Sequence, residues 1–225
     1  TWIASICPRL ALGNSAAVWT RKNDLEMVYY GLLFVNVSSI LTDYIVRLKL
    51  GNPNLNFYLV EQFPVLPPEA YGDADRAFVV PRVVELTYTA WDLRAFGKDM
   101  GMDGAPFRWD EGRRAVMRAE LDAWYAMKYG LTRKQLRYVL DPHGLTAREI
   151  ATLVTDDTED APDAPRVAGF PGETFRVLKD REMREFGEYR TARLVMEAWD
   201  ALAKSGWDPS RYASPLDVQI GRAHV

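Results

Sequence analysis

The residues with the clearest capacity for intermolecular chemistry lie near position 50. Arg47 and Lys49 are followed closely by three asparagines, Asn52, Asn54 and Asn56. Cationic side chains bind phosphate oxygens, and amide side chains bind both phosphates and base edges. The spacing therefore fits a loop that contacts a nucleic acid. A local explanation fits as well, since cations stabilise the C-terminal end of a helix and asparagines favour turns.

A second group of cations lies further along the chain, on a short predicted helix. Arg133, Lys134 and Arg137 share this helix, and Arg133 and Arg137 are one turn apart. Such a helix could follow a phosphate backbone, which would make binding sensitive to salt. A solvated helix face is the alternative. Asn14 and Ser15, in a loop between two expected strands, form a smaller set of the same kind as the asparagines near position 50.

The long helix expected between these groups raises the same two possibilities. Its arginines have acidic residues near enough in sequence to pair with them. The arginines are Arg113, Arg114 and Arg118, and the acidic residues are Glu111 and Glu120. Three tryptophans in helical contexts, Trp91, Trp109 and Trp124, are predicted to belong to the core.

The sequence offers few candidate residues for catalysis or for metal binding. The two histidines are His143, in the turn 141–144, and His224. A lone histidine in such a turn is typically structural or solvated. The sequence contains neither a phosphate-cradling glycine loop of the Walker type nor a paired-histidine metal spacing. We therefore predict no catalytic, cofactor-binding or metal-binding residue in this chain.

Composition narrows the class of protein. The 225 residues are 48% hydrophobic and 26% charged, with a formal net charge of -3, which argues against a wholly basic nucleic-acid binder but allows a local basic surface. Cys7 is the one cysteine, so no disulfide can form within the chain, and a reducing cytoplasm is expected. The most apolar stretch, 27–35, is too short to cross a bilayer, so no membrane partner is expected. The first residue is Thr1, not Met, and residues 220–225 look like the translation of a sequencing-adapter oligonucleotide. We therefore expect a piece of a longer protein.

The hydrophobic pattern predicts an α+β protein. Strands are expected within 2–20 and at 57–60, and a helical period runs from Asp24 to Gly51. A second helix is expected to begin at Pro81 and run to Gly97. After it we predict a long helix over 111–129, two capping boxes that open short helices, and two final helical pieces within 175–203. The capping boxes are Thr132 with Gln135 and Thr146 with Glu149.

Three regions follow from this pattern. Residues 1–68 form the C-terminal part of an α/β domain, which ends at the proline-rich exit 63–68. Residues 69–205 form a helical region with an acidic, proline-bearing loop near 155–166. Residues 206–225 form a tail.

Several strings in the chain resemble the C-terminal region of large bacterial adenine-specific DNA methyltransferases. These are the type IIG restriction–modification methylases and their relatives in phage-defence systems such as BREX and DISARM. The strings are PR at 8–9 with GNS at 13–15, DYIVRLK at 43–49, LNFYLVEQFPVLPP at 55–68, PRVVELTYTAWDL at 81–93, RAELDA at 118–123 with YGL at 129–131, and GEYRT at 187–191. Their order and spacing make the joint resemblance more specific than any single string. Residues 145–170 depart from the pattern and look like an insertion.

The resemblance implies the end of a target-recognition domain followed by a helical closing segment. In that family the catalytic motifs lie upstream, which agrees with two absences from this chain. It has neither a glycine-rich turn for the methyl donor nor a Pro-Pro-aromatic loop for a flipped adenine, since 51–54 lacks the second proline and the aromatic residue. The resemblance thus implies a parent enzyme that uses S-adenosylmethionine. It implies double-stranded DNA and the upstream catalytic domain as partners of this chain.

Two other kinds of function remain open at the level of sequence. The string at 55–68 also resembles the exit of recognition domains in type I specificity subunits, where prolines would keep the connection semi-rigid. The chain could accordingly be a non-catalytic specificity subunit, or a helical scaffold that docks a separate methylase. Neither the DNA target nor a fused nuclease can be inferred from these residues.

Overall fold

The fold is mainly α-helical in the part of the chain that the computed structural model describes, which comprises residues 4–8, 20, 25–50, 57–153 and 173–216. The α-helices are α1 (Met27–Ser38), α2 (Ile40–Lys49), α3 (Phe57–Val60), α4 (Asp73–Thr87), α5 (Arg94–Asp99), α6 (Glu111–Lys128), α7 (Arg133–Leu140), α8 (Ala147–Ala151), α9 (Arg176–Phe186) and α10 (Arg190–Lys204). Short 3-10 helices lie at Pro68–Ala70, Trp91–Leu93, Pro142–Gly144 and Pro209–Arg211.

The predicted α+β class is wrong for these residues, because they contain no sheet. The strand expected at 57–60 is the helix α3, and residues 61 and 62 continue it as a turn in which the Gln62 N–H donates to the Leu59 carbonyl. A run of four apolar residues is too short for periodicity to separate a strand from a helical turn. Of the strand region within 2–20, residues 4–8 belong to no strand and most of the others lie outside the described residues.

The single helix expected from Asp24 to Gly51 is two helices that meet at Ser39 at an angle of 58°. Ser39 is extended, with φ of -66° and ψ of 150°, and its hydroxyl accepts the Thr42 N–H, so it is the N-cap of α2. Asp122 of α6 accepts the Ile40 N–H at 2.7 Å. The break therefore satisfies two N–H groups at the start of α2 and docks that end on α6. Among the described residues no helix is by itself long and apolar enough to cross a membrane, although α1 and α2 together have that composition.

Helix α4 also differs from the expectation at its start. It begins at Asp73, so Pro81 lies in its interior and not at its first position. The helix ends at Thr87, well before Gly97, and a 3-10 turn and the short α5 follow it. The two capping boxes are confirmed, as Thr132 caps α7 with Gln135 and Thr146 caps α8 with Glu149.

The core is built around α6, which packs against α10, α4 and α2. Trp124 and Tyr125 of α6 are completely buried, as Trp124 was predicted to be. Trp91 and Trp109 were predicted wrongly, since they are 59% and 64% exposed. One continuous cluster of buried side chains extends from Leu32 to Leu202 and so includes residues on both sides of position 68. The domain boundary at 68 stays a prediction.

Candidate nucleic-acid contact surface

The exposed end of α2 lies against the turn that follows α3. Lys49 is the last residue of α2, and its Nζ donates to Oε1 of Gln62 at 3.4 Å. The Gln62 amide in turn donates to the Tyr58 carbonyl at 2.9 Å. Leu48 is 66% exposed and the Tyr58 side chain 60% exposed. We call these four residues, Leu48, Lys49, Tyr58 and Gln62, the Lys49 rim.

The Lys49 rim combines a cation, an amide and an aromatic hydroxyl on an accessible surface. These are groups that bind phosphate and sugar oxygens of DNA. Sequence reasoning missed Tyr58 and Gln62, because a strand at 57–60 gives them no common face with Lys49. The signal was their spacing of four residues, which brings them together once the segment is helical. The predicted contacts Asn52, Asn54 and Asn56, like Asn14 and Ser15, lie outside the described residues.

Arg47, the other cation predicted at this end of α2, is bound within the protein. Its guanidinium contacts the Asp43 carboxylate at 3.0 Å and donates to the Thr174 carbonyl at 3.2 Å. The same group lies over the Phe175 ring, 5.1 Å from its centre. Arg47 thus fastens the end of α2 to the residues that precede α9, and its role in the described geometry is to position this part of the surface.

The cations of α7 are likewise engaged within the fold. Arg133 forms two hydrogen bonds with the Asp200 carboxylate, at 2.8 and 3.0 Å. Lys134 is 2% exposed and donates to the Thr152 hydroxyl at 2.9 Å. Arg137 bonds the Glu149 carboxylate at 2.7 Å. These bonds attach α7 to α8 and α10, so all three cations are engaged within the described part of the protein.

The ion pair between Arg137 of α7 and Glu149 of α8 lowers the pKa of Glu149. Burial favours the neutral acid, but hydrogen bonds from Thr146 and from Arg137 outweigh it and lower the pKa of Glu149 to about 2. Glu149 is 1% exposed and also receives the Thr146 N–H at 2.7 Å. The carboxylate is therefore charged and fully used in holding α7 and α8 together.

Within the described ranges, two of the three arginines of α6 form ion pairs and the third does not. Arg113 bonds Glu85 and Arg118 bonds Glu111. Arg114 lies over the exposed Trp109 ring at 3.7 Å and donates to the Leu86 carbonyl. Burial, and then the charge of Arg118, lower the pKa of Arg114. Glu120, which the sequence offered as a partner for these arginines, is instead paired with Arg82.

The turn that holds His143 forms a cluster of ion pairs. The Lys179 ammonium lies between the Asp141 and Glu173 carboxylates, at 2.9 and 2.7 Å, and His143 Nε2 is 3.9 Å from Glu173. These contacts attach α9 to the Pro142–Gly144 turn. No group of three or more metal-ligating side chains occurs among the residues that the structure describes.

Comparisons with known proteins gave no match: no protein-family model, no curated protein and no solved structure matches this chain.

Proposed function

We propose that this chain is the non-catalytic, DNA-contacting C-terminal portion of a site-specific adenine DNA methyltransferase from a restriction–modification or phage-defence system. The parent enzyme would bind S-adenosylmethionine in its upstream catalytic domain, and this portion would pack against that domain and hold duplex DNA. The strings that resemble that family support the parentage. The observation that carries the DNA contact is the Lys49 rim, where Lys49 and Gln62 meet on an exposed surface and stand on either side of the three asparagines in the sequence.

The chemistry of the rim suits the positioning of a DNA backbone. A lysine is a mobile point charge that binds a phosphate without requiring one orientation. Gln62 adds a neutral amide beside it, and the exposed Tyr58 lies one turn before Gln62. Contacts of this kind fix the register of a protein on the duplex, and sequence is then read by groups that reach the base edges. The asparagines between positions 51 and 57 are the residues we assign to that second role.

We predict that Lys49→Gln weakens binding of duplex DNA about three- to tenfold at low salt. Loss of one phosphate contact should also make the slope of log affinity against log salt concentration less steep by about one. Fluorescence anisotropy with a labelled duplex measures both quantities. Lys98→Gln, which removes an exposed cation from α5, is the matched control and should bind like the unmodified chain. Equal affinities for the two variants would contradict the role of the rim.

Methyl transfer distinguishes the portion from a complete enzyme. The chain alone, incubated with duplex DNA and radiolabelled S-adenosylmethionine, should transfer no methyl group above background. Transfer that depends on the donor would contradict the non-catalytic assignment.

A helical scaffold that docks a separate methylase is the second candidate. It is favoured by two exposed tryptophans that each lie against an arginine. The Arg94 Cζ is 5.7 Å from the centre of the Trp91 ring, and the Arg114 Cζ is 3.7 Å from the centre of the Trp109 ring. Tryptophan and arginine are enriched among the residues that dominate protein–protein binding energy. A scaffold would bind a methylase subunit through these residues. The Lys49→Gln variant would then bind that subunit normally.

A further inference from the structure

The segment that carries Gln62 of the Lys49 rim is held by the end of α6. The Tyr129 hydroxyl, at the residue that caps the C-terminus of α6, donates to the Pro64 carbonyl at 3.0 Å. Pro64 lies two residues after Gln62, and Phe63 between them is buried. Burial raises the pKa of Tyr129, so the phenol keeps its proton and can donate. The chain that leaves α3 is thus attached to α6 within two residues of the rim.

Asn36 of α1 completes this attachment. Its side chain is fully buried, and its Nδ2 donates to the Tyr129 hydroxyl oxygen at 2.9 Å. Its Oδ1 accepts the Leu66 N–H at 2.9 Å. A buried amide is costly unless its hydrogen bonds are made, so this arrangement favours one position of the segment. Asn36 and Tyr129 therefore bind the backbone on both sides of Val65, whose own side chain faces solvent.

The other half of the rim is held by the same helix. Asp122 of α6 accepts the Ile40 N–H at the start of α2, and Lys49 is the last residue of α2. Asp122 and Tyr129 are seven residues apart, which is close to two helical turns, so they lie on the same side of α6. One side of α6 therefore fixes both elements whose side chains meet at the rim.

The rim cannot set this geometry by itself. The hydrogen bond between Lys49 and Gln62 is 3.4 Å long and exposed, whereas the bonds of Asp122, Asn36 and Tyr129 are between 2.7 and 3.0 Å. A long bond between two mobile, solvated side chains contributes little to holding helices in place. The contacts with α6 and α1 must accordingly decide where Gln62 lies relative to Lys49.

We infer that Tyr129 and Asn36 are positioning residues of the DNA contact: they act through Pro64 and Leu66 to hold Gln62 beside Lys49, so that the rim meets a duplex as a preformed surface. This inference rests on the proposed function. Preformed surfaces bind more tightly because fewer groups have to be ordered on binding. In this role Tyr129 affects DNA binding without touching the DNA.

The test is the binding of a fluorescein-labelled duplex of about 25 base pairs by the whole chain, over a series of salt concentrations. Tyr129→Phe should weaken binding about threefold at low salt. It should also make the slope of log affinity against log salt less steep, by up to about one, although it removes no charge, because Lys49 then meets the phosphate less often. The matched control is Tyr88→Phe, which removes a phenol that donates to the Gly104 carbonyl at 2.8 Å and should bind like the unmodified chain. Circular dichroism checks that both variants remain folded.

A double variant shows whether Tyr129 acts through the rim. Lys49→Gln combined with Tyr129→Phe should lose clearly less affinity than the sum of the two single losses, because the second change has no lysine left to misplace. Additive losses, with a salt slope that Tyr129→Phe leaves unchanged, would mean that the Tyr129 hydroxyl contacts the DNA itself and would overturn the positioning role.

The remaining outcomes separate this inference from the proposed function. If the unmodified chain does not bind the duplex, the proposed function fails and the inference fails with it. If Lys49→Gln weakens binding while Tyr129→Phe and Tyr88→Phe behave alike, only the inference is overturned. Weaker binding and a shallower salt slope for Tyr129→Phe alone of the two tyrosine variants, with losses that do not add to those of Lys49→Gln, support it.

Discussion

Glu120→Ala is expected to lower the free energy of unfolding by about 3 to 5 kcal/mol, because it leaves Arg82 buried without its partner. The two side chains are 4% and 0% exposed and meet at 2.8 Å. Arg82 also donates to the Phe78 carbonyl and lies 3.7 Å from the centre of the Phe78 ring. It cannot turn out to solvent without leaving these contacts. Urea unfolding followed by circular dichroism measures the change.

Glu120 also holds the end of the described chain against the core. The hydroxyls of Tyr212 and Ser214 both donate to its Oε1, the first at 2.9 Å. Burial raises the pKa of Tyr212, and the Glu120 charge adds to that shift, which keeps the phenol protonated as a donor. The variant should therefore release residues 212–214 and also leave Arg82 without its carboxylate partner. Limited proteolysis should cut at 212–214 faster in the variant than in the unmodified chain.

Two controls make the Glu120 prediction specific. Glu111→Ala removes a glutamate of the same helix whose pair with Arg118 is exposed, at 55% and 52%, and should change stability by less than about 1 kcal/mol. Replacing both buried partners, Arg82→Met with Glu120→Leu, should recover much of the loss because no buried charge is left alone. Equal losses for Glu111→Ala and Glu120→Ala would contradict the assignment of this pair as a buried anchor.

Asp122 gives the second large effect, a dependence of stability on pH. Burial raises the pKa of Asp122 to about 7, against the opposing influence of the Ile40 N–H and Arg118. The folded protein then holds a proton between about pH 4 and pH 7 that the unfolded chain has released. The contribution of Asp122 to stability should therefore fall as pH rises through this interval, by at most about 4 kcal/mol for a shift of this size.

Asp122→Asn should abolish that fall. The amide keeps an oxygen in place for the Ile40 N–H but cannot ionise, so the start of α2 stays docked on α6 at every pH. The difference in unfolding free energy between variant and unmodified chain should grow from pH 4 to pH 7 and then level off. Asp92→Asn, on an exposed residue, corrects for the change in net charge. A difference that stays constant between pH 4 and pH 8 would refute the prediction.

The sequence was most informative where the determining interactions are local. The boxes at Thr132 and Thr146 consist of hydrogen bonds between residues three apart, and both were predicted correctly. The long helix α6, predicted over 111–129, spans Glu111–Lys128, with Asp110 as its N-cap and Gly130 two residues after its end. Such signals need no knowledge of the rest of the fold.

The failures have long-range causes. The break at Ser39 depends on Asp122, a residue 82 positions away from Ile40. The role of Arg133 depends on Asp200, which is 67 positions distant. Trp109 lies in the exposed stretch before α6, and no sequence pattern distinguishes it from the buried Trp124. The ion pairs of the α7 cations likewise join residues far apart in sequence or on different helices, so the sequence pattern does not show which charges are engaged within the fold.

Binding of duplex DNA by the unmodified chain, measured by anisotropy across a salt series, tests the central claim most directly. We expect measurable affinity at low salt that falls as salt rises, because contacts between cations and phosphates release counterions. No binding at low salt, or binding that does not change with salt concentration, would contradict the account.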